Sequence, residues 1–442
     1  MSTSVQPFEN IFQDSDFDRP KWVLLDKERA WKEFCKAGVP TRKEEDWKYT
    51  NLSFLNKTKY EKSNANISCS RDIIKPFLIE ETITVVYWNG MFVDALNDLQ
   101  DLQDGLEISS LSTVFTNREK ELSDLFQRFA SNSKSNPLIL LNEALASDGI
   151  LIKVAAKANI KKPIHILHLN SSESTSPVAT FPRNVIFIDK DANATIYESF
   201  HCLDQLNSVR SFCNETSDIL IKQNAKLTYV CTQNLSRSFD QICHIRVIQE
   251  KNSTMESHVL GVGGQLSRQS IEVYQEGEEA HTNLNGLFLG RDKQQCEQKT
   301  LIRHRVPHGS SDQYYKGILT DEARGVFLGH VGVEKGAQKV RAKQLNKNLL
   351  LNDKVEIDTK PELEIDSDDV KCAHGATVSQ LRSDEIFYLQ SRGISEERAK
   401  YLLSHAFAHE IIAKLKDSKI SPIWNQIVKN FFEEVNALGE NE

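Results

Sequence analysis

Short apolar runs recur through the middle of this chain and constrain its fold more than any other feature. They are 185–188, 219–221, 245–248, 271–274 and 331–333, and the first four lie 33, 26 and 26 residues apart when counted from positions 186, 219, 245 and 271. A repeat of this length is typical of a β-solenoid, in which each coil stacks on the next and shares its core with it. Spacing alone is equally compatible with a two-sheet β-sandwich.

Alanines follow three of these runs at a fixed distance. Ala192, Ala225 and Ala337 each stand four residues after the last apolar residue of a run, and mostly polar residues fill the gap. Small side chains suit a position where one strand turns sharply and the next begins. The pattern therefore predicts a corner that is repeated from coil to coil.

The chain divides into three zones, in keeping with the two or three domains expected of 442 residues. Residues 1–150 are predicted to form an N-terminal, mostly helical region, which also holds a β-hairpin turning at Asn89 and Gly90. Residues 151–382 carry the apolar runs and are predicted to form the β core. Residues 383–442 are predicted to form a C-terminal helical domain.

The last zone carries clear helix-end signals. Gly393 is predicted to end a helix over 384–391, Ser395 to cap the next helix, and Pro422 to occupy the first position of the last one. We expect this tail to form a separate small bundle, and the helical regions to cap the two ends of the solenoid. Helical periodicity assigns a buried face to each of the last two helices: Ala399, Leu402, Leu403, Ala406 and Phe407 in one, and Ile423, Ile427, Phe431 and Val435 in the other.

The composition excludes several classes of protein. Lys and Arg number 54 and Asp and Glu 62, so the formal charge is −8, and a chain this acidic is a poor general nucleic-acid binder. No stretch approaches the length of a membrane-spanning segment, and the N-terminus lacks the apolar segment of a secretory signal, so a cytoplasmic location is expected. The cysteines form no CxxC pair and are expected to be free thiols. They are Cys35, Cys69, Cys202, Cys213, Cys231, Cys243, Cys296 and Cys372.

The chain lacks the common catalytic motifs. It has no GxxxxGK[ST] phosphate-binding loop, no GxSxG nucleophile elbow and no HExxH zinc-binding pattern. Cys372 and His374 are two residues apart on a predicted strand, so their side chains face the same side. A thiolate and a neutral imidazole are suitable ligands for iron, zinc or copper. Two ligands do not complete a metal site, and a buried structural pair is the alternative interpretation.

Several segments resemble the SufB/SufD family of the SUF iron–sulfur cluster assembly system. The similarity extends over most of the chain and is weakest from about 55 to 145. Within the family the chain is similar to the SufD branch, because 352–362 lacks the cysteine that SufB-like chains carry there. The matching segments are 42–51 (RKEEDWKYTN), 316–333 (KGILTDEARGVFLGHVGV), 342–351 (AKQLNKNLLL), 358–365 (DTKPELEI), 369–380 (DVKCAHGATVSQ) and 387–394 (FYLQSRGI).

The resemblance implies a mainly β fold, with a right-handed parallel β-helix as the core and with N-terminal α/β and C-terminal helical regions flanking it. It also implies a non-catalytic scaffold, which forms a heterodimer with SufB and binds the ATPase SufC. A transient iron–sulfur cluster would be built at the interface with SufB. A homodimer of the isolated chain, and a flavin in the assembled complex, are left open.

The resemblance also assigns roles to individual residues. His374 falls on the histidine of the family's KCxHGA motif at the SufB interface, and Cys372 is the neighbouring cysteine, so both are candidate metal ligands shared with SufB. The C-terminal helices resemble the region that docks SufC, with Phe387, Tyr388, Arg392 and Gly393 as the candidate contact residues. The alternatives are a SufB-like or homodimeric scaffold that holds the cluster itself, and a β-helix enzyme such as a polysaccharide lyase or an acyltransferase.

Overall fold

The computed structural model describes residues 8–14, 19–63, 71–97, 99, 102–132, 136–171, 176–203 and 209–439. Helices lie at both ends of the chain and are almost absent from the described part of its middle. Short 3₁₀ helices span Glu45–Trp47, Ser53–Asn56, Lys75–Phe77 and Asp94–Leu96. The α-helices are α1 (Glu9–Gln13), α2 (Lys21–Ala37), α3 (Arg71–Ile74), α4 (Leu111–Asn117), α5 (Glu119–Asn132), α6 (Pro137–Leu145), α7 (Ser383–Gln390), α8 (Glu396–Ile412) and α9 (Ile420–Gly439).

The strands fill the middle of the chain, and most are between six and eleven residues long. They are β1 (Glu61–Lys62), β2 (Ile83–Trp88), β3 (Met91–Phe92), β4 (Leu106–Ser110), β5 (Gly149–Val154), β6 (Ile164–Asn170), β7 (Val178–Thr180), β8 (Arg183–Ile188), β9 (Asn193–Cys202), β10 (Ser211–Ile221), β11 (Lys226–Asn234), β12 (Phe239–Gln249), β13 (Thr254–Gly261), β14 (Leu266–Gln275), β15 (His281–Gly290), β16 (Gln295–His304), β17 (Ser310–Leu319), β18 (Arg324–Val333), β19 (Arg341–Leu350), β20 (Glu356–Ile365) and β21 (Lys371–Ser379).

Successive strands alternate between two sheets. Sheet A has the spatial order β20-β18-β16-β14-β12-β10-β8-β5-β4, and sheet B the order β21-β19-β17-β15-β13-β11-β9-β6-β2-β3. From β5 onwards the strands within each sheet pair in parallel, so each coil adds one strand to each sheet. The core is a parallel β-solenoid of about seven turns, which confirms the predicted fold and excludes the sandwich. We call the space between the two sheets the lumen.

The strand register gives the length of each coil. In one lumen-facing row of sheet A, successive register partners are separated by coils of 33, 28, 26, 29, 29 and 32 residues. This row consists of Ile186, Ile219, Val247, Val273, Ile302, Val331 and Leu363. The predicted spacing of 26 residues between positions 219 and 245 is therefore two residues shorter than the observed coil, which runs from Ile219 to Val247. Residues 245 and 247 both face the lumen because side chains alternate with period two, so the apolar run alone does not reveal which of them pairs with Ile219.

The predicted corner is present and is built from a left-handed residue followed by a buried alanine. Asp191 and Asn224 have φ of 60°, and each precedes one of the predicted alanines. Ala192, Ala225 and Ala337 are at most 1% exposed. Asn224 Nδ2 donates to Asp191 Oδ1 at 2.7 Å, and Asn252 Nδ2 donates to Asn224 Oδ1 at 2.9 Å. Three successive coils are thus joined at this corner by a ladder of hydrogen bonds between the Asp191 carboxylate and two asparagine amides.

The N-terminal region contributes to the solenoid as well as covering it. Strand β2 extends sheet B beside β6, and β4 pairs antiparallel with β5 at the end of sheet A. The predicted hairpin joins β2 to β3, with Asn89 and Gly90 both at positive φ. Helices α4 and α5 pack on the outer face of sheet A, where Leu122 and Phe129 contact Val185 and Leu220.

The C-terminal helices lie against the outer face of sheet B and do not form a separate bundle. Ala408, Ile411 and Trp424 pack with apolar side chains of β9 to β19, and Trp424 Nε1 donates to Thr232 Oγ1 at 2.7 Å. Ser395 caps α8 and Gly393 takes a φ of 84°, both as predicted. The predicted buried faces are only partly correct, since the buried rows are Ala399, Ser404, Ala408, Ile411 and Ile412 in α8, and Ile420, Trp424, Val428, Phe431 and Phe432 in α9.

The start of α9 also differs from the prediction. The helix begins at Ile420, so Pro422 is its third residue. Asp417 sets the earlier start, because its Oδ1 accepts from the backbone N–H groups of Lys419 and Ile420 at 2.8 and 3.1 Å. Proline remains acceptable there since the N–H groups of the first turn have no partner within the helix.

The described cysteines are free thiols, as predicted, and Cys69 lies outside the described residues. Among the described helices, none is both long enough and apolar enough to cross a membrane.

Candidate functional site

The last coil of the solenoid ends in two strands whose outer edges pair with no other strand of the described residues. β20 is the outermost strand of sheet A and β21 the outermost strand of sheet B. The C-terminal helices were expected to cap this end, but their apolar faces lie on the side of sheet B instead. We call the exposed lumen-facing surface of β20 and β21 the open end. Edge strands with free N–H and C=O groups can accept another strand.

Cys372 and His374 both lie at the open end, on the lumen side of β21. Their register partners in β19 are Ala342 and Gln344, whose side chains are buried in the lumen. The prediction that the two residues share one face is therefore confirmed. Residues two apart on a strand are separated by about 6.7 Å along it, so both side chains can reach one bound group.

Cys372 is half-buried against the last apolar layer of the lumen. It packs with Val331, Val333 and Val340. Burial raises the pKa of its thiol, so the protonated form is favoured until a metal or a base removes the proton. Cys372 is thus a weaker ligand in the isolated chain than an exposed cysteine would be.

His374 is exposed and makes no hydrogen bond to any residue that the structure describes. Gln344 lies directly beneath it in the register, and Gln344 Oε1 also lacks a hydrogen-bond partner within the described chain. These observations contradict the interpretation of His374 as a buried structural histidine. The side chain is free to bind a ligand or a partner that covers the open end.

Gly375 follows His374 and faces outwards. A Cβ atom placed on it would meet only Leu345 Cδ1, at 3.6 Å, which is an ordinary contact. The packing of this chain therefore does not require glycine at this position. Glycine would be required at this position if a partner chain approached it closely.

Apolar side chains lie on the same lumen side of the open end as His374. Ile365 is 40% exposed and Val378 48%. The register places Ile357, Pro361 and Leu363 of β20 on the same lumen side, because their partners in β18 face the lumen. Exposed apolar patches of this kind mark protein interaction sites. This apolar ring was not predicted, although the alternation of apolar and polar residues through 356–365 is a signal for it.

The second group of predicted contact residues lies on and after α7. Phe387 is 70% exposed and Tyr388 58%. The Arg392 guanidinium lies 5.4 Å from the centre of the Tyr388 ring. A Cβ atom placed on Gly393 would meet no atom within 4 Å, so glycine is needed there only for its positive φ. The four residues form one exposed aromatic surface, separate in sequence from His374.

Comparison with known proteins assigns both halves of the chain to one family. The family described as "SUF system FeS cluster assembly, SufBD core domain" matches residues 168–407. The family described as "SufBD protein N-terminal region" matches residues 18–166. The first match contains the solenoid from β7 onwards, both strands of the open end and α7.

Individual relatives agree with these matches. An iron–sulfur cluster assembly SufBD family protein of Synechocystis is 32% identical over 386 residues, covering 85% of this chain and 84% of its own length. The iron–sulfur cluster assembly protein SufD of Escherichia coli is 29% identical over 418 residues, covering 94% of each chain. The iron–sulfur cluster assembly protein SufB of Bacillus subtilis is 25% identical over 323 residues, covering 72% of this chain and 68% of its own.

Proposed function

Because this chain belongs to the SufBD family of the SUF iron–sulfur cluster assembly system, we propose that it is the SufD-type scaffold subunit of an assembly complex. In this proposal it pairs with SufB through the open end and binds the ATPase SufC through α7. The iron–sulfur cluster is cargo, built transiently where the two scaffold chains meet. The chain itself catalyses no reaction.

The observation that carries this proposal is the open end itself. Two strands with unpaired outer edges, a group of exposed and half-buried apolar side chains, and an imidazole without a hydrogen-bond partner among the described residues all lie on the lumen side of this end. A second solenoid of similar cross-section could continue both sheets and bury the ring. His374 would then lie within the interface, shielded from solvent.

His374 and Cys372 would together supply part of a ligand set. An imidazole and a thiolate suit iron, and the remaining ligands would come from SufB. Because the thiol of Cys372 is held protonated by burial, we assign the larger role to His374. A neutral imidazole can bind iron, and an imidazole can also relay a proton.

The α7 surface fits a separate docking role. Phe387 and Tyr388 are largely exposed within the part of the chain that the structure describes, and aromatic side chains are enriched among the residues that dominate binding energy at interfaces. Replacing both by alanine should reduce capture of SufC at least tenfold while leaving SufB pairing intact. Ile423→Ala, at a partly exposed position of α9, serves as the control. Unchanged capture of SufC by the double variant would place the docking surface elsewhere.

The deciding experiment compares His374→Ala with the unchanged chain after co-expression with SufB and SufC of the same organism. Complex yield, thermal midpoint, iron and acid-labile sulfide are measured on each purified complex. We expect normal assembly, a free energy of unfolding within about 0.5 kcal/mol of the unchanged chain, and at least a tenfold loss of cluster. Cys372→Ala should lose less.

His281→Ala provides the matched control. His281 is an exposed strand histidine of the same sheet, three strands of that sheet away from β21. It should carry normal cluster. A fully assembled His374→Ala complex with normal iron and sulfide would remove His374 from the site. Stable retention of iron and sulfide by this chain without SufB would instead favour a scaffold that holds the cluster by itself.

A further inference from the structure

A second group of metal-ligating side chains lies inside the solenoid, far from the open end. It consists of His168, Glu198 and Glu215, whose ligand atoms all lie within 4.8 Å of one another. His168 is in β6, Glu198 in β9 and Glu215 in β10, so both sheets contribute. All three side chains face the lumen and are at most 3% exposed.

The imidazole of His168 is held in one orientation. Its ring is stacked between Tyr87, at a centroid distance of 4.7 Å, and Phe200, at 4.2 Å, with both neighbouring rings within 10° of parallel. This sandwich directs Nε2 to Glu198 Oε1 at 2.8 Å. A ligand fixed in this way loses little entropy when it binds a metal.

The two carboxylates are held close together by shared donors. Asn184 Nδ2 donates to Glu198 Oε1 at 3.0 Å and to Glu215 Oε1 at 3.1 Å. Tyr87 in turn donates from its hydroxyl to Asn184 Oδ1 at 2.9 Å, which fixes the orientation of the amide. The hydroxyl of Tyr229 donates to Glu198 Oε2.

The charges in this cluster do not balance within the described chain. No Lys or Arg nitrogen of the described residues lies within ion-pair distance of either carboxylate, and His168 is the one basic group in contact with them. Two buried carboxylates in contact are stable only if a proton neutralises one of them or a cation lies between them. One fixed point of the lumen therefore requires either a shared proton or a bound cation.

Further donors suited to a transition metal surround the same point. Cys243 lies beside Glu215 in the register, and its Sγ is 3.2 Å from Glu215 Oε2. Cys231 lies beside Glu198 on the other sheet. One coil further along the lumen, Ser257 Oγ is buried next to Tyr229 in the register and lacks any partner among the described residues.

From this arrangement we infer that His168, Glu198 and Glu215 form a buried binding site for one divalent first-row transition metal ion, with Cys243, whose Sγ contacts Glu215, as the adjacent sulfur donor. Metal–ligand bonds of about 2.0–2.3 Å place neighbouring ligand atoms roughly 3 Å apart. His168 Nε2 lies 2.8 Å from Glu198 Oε1, close to that spacing, and the ligand atoms of all three residues lie within 4.8 Å of one another. Imidazole, carboxylate and thiolate together suit Fe²⁺, Zn²⁺ or Mn²⁺ rather than Ca²⁺. Iron is the first metal to test, a choice that rests on the proposed function, whereas the site rests on its geometry alone.

The test uses the full chain, expressed in media enriched in Fe²⁺, Mn²⁺ or Zn²⁺ singly, because a site this deeply buried is best loaded during folding. The protein is purified without oxygen, passed over a desalting column with EDTA, and its metal content is measured by mass spectrometry. We expect about one ion per chain from at least one of the three media. The variant with both His374→Ala and Cys372→Ala should retain that ion, which separates this site from the open end.

Glu215→Gln is the decisive variant because it should fold. Its amide keeps the acceptor for Asn184 and Ser217 and can donate to Glu198 in place of a shared proton. We expect at least a tenfold loss of metal from this variant with an unchanged circular dichroism spectrum. Glu272→Gln is the control, since Glu272 is a buried carboxylate on the outer face of sheet A that contacts Tyr274.

Two results would overturn the inference. One is less than about a tenth of an equivalent of metal in the unchanged chain from all three media. The other is the same metal content in Glu215→Gln as in the unchanged chain. Loss of SufB pairing would leave the metal result unaffected, so failure of the proposed function and failure of this site can be told apart.

Discussion

Thr50 Oγ1 lies 2.8 Å from Glu297 Oε2, across 247 residues of sequence. Glu297 is also paired with Arg268, whose guanidinium stacks 4.1 Å from the Trp47 ring centre and donates to the carbonyl oxygen of Asp46 at 2.8 Å. The segment 42–51, which carries one of the family-like motifs, is thus fastened to the outer face of sheet A. Its aromatic and acidic residues serve as attachment points for the solenoid.

Removing the Glu297 charge should therefore destabilise the protein strongly. Glu297→Gln leaves the Arg268 guanidinium, which is 1% exposed, without its counter-charge. Loss of one partner of a buried ion pair costs about 3–5 kcal/mol, and we expect the lower part of that range from urea unfolding, together with faster hydrogen exchange over 42–51. Glu278→Gln, which removes an exposed partner of Lys251, should cost less than about 1 kcal/mol. Equal losses of stability for the two variants would show that the attachment of 42–51 to sheet A does not depend on the buried pair of Arg268 and Glu297.

The corner ladder gives a second stability prediction. Asn224 donates to Asp191 and accepts from Asn252, and its backbone is left-handed. Asn224→Ala removes both hydrogen bonds and adds the cost of a left-handed alanine, so we expect a loss of about 2–3 kcal/mol. Asn224→Gly removes the same bonds without the backbone cost and should lose about 1 kcal/mol less than the alanine variant. Identical unfolding midpoints for the two would contradict the role given to the backbone.

The solenoid was predictable because its lumen rows repeat. All the apolar runs recognised in the sequence belong to sheet A, where Ile186, Ile219 and Val273 stack in one row. The strands of sheet B between its two ends were not recognised, since the lumen rows there include Glu198, Gln233 and other polar residues that interrupt the apolar pattern. Counting back by twos from Ile219 places Glu215 in the lumen, so a signal for part of the internal cluster was present.

In the C-terminal helices, the periodicity of apolar residues does not predict which face is buried. Helix α9 offers two apolar rows that are offset by one residue, one through Ile423 and Ile427 and the other through Trp424 and Val428. Only the second row is fully buried. The outer surface of sheet B determines which row is buried, because Thr232 on that surface accepts a hydrogen bond from the Trp424 indole. Such a long-range partner cannot be read from the spacing within the helix.

The attachment of α8 should weaken in acid. Lys316 Nζ contacts Glu410 Oε2 at 2.7 Å and donates to the Phe407 carbonyl oxygen at 2.9 Å. The hydrogen bond from Lys316, with a further one from Tyr314, lowers the pKa of Glu410. A carboxylate with a lowered native pKa stabilises the fold above its ordinary pKa of about 4.3 and loses that contribution as the pH falls through the native value.

Hydrogen exchange of 396–412 at pH 7 and at about pH 3, below the ordinary carboxyl pKa, measures this effect. Protection of these amides should fall in acid for the unchanged chain. It should fall by less for Glu410→Gln, because the attachment of α8 in this variant is already weaker at pH 7 and residue 410 has no charge to lose. Glu396→Gln is the control because Glu396 pairs with Lys400 within α8 and does not contact the solenoid. If Glu410→Gln and the unchanged chain lost protection equally, the pH dependence would have another source.

The last prediction concerns the apolar ring of the open end. Val378 is nearly half exposed and lies in the outermost strand of sheet B. Val378→Asp should change the free energy of unfolding of the isolated chain by less than about 1 kcal/mol, because the new carboxylate can remain in water. At an interface the same carboxylate would be buried without a partner, at a cost of several kcal/mol. We therefore expect at least a hundredfold loss of affinity for SufB, measured by titration calorimetry.

Leu25→Asp, at a more exposed leucine of α2, is the control and should bind SufB normally. Normal binding by Val378→Asp would show that SufB does not cover the open end.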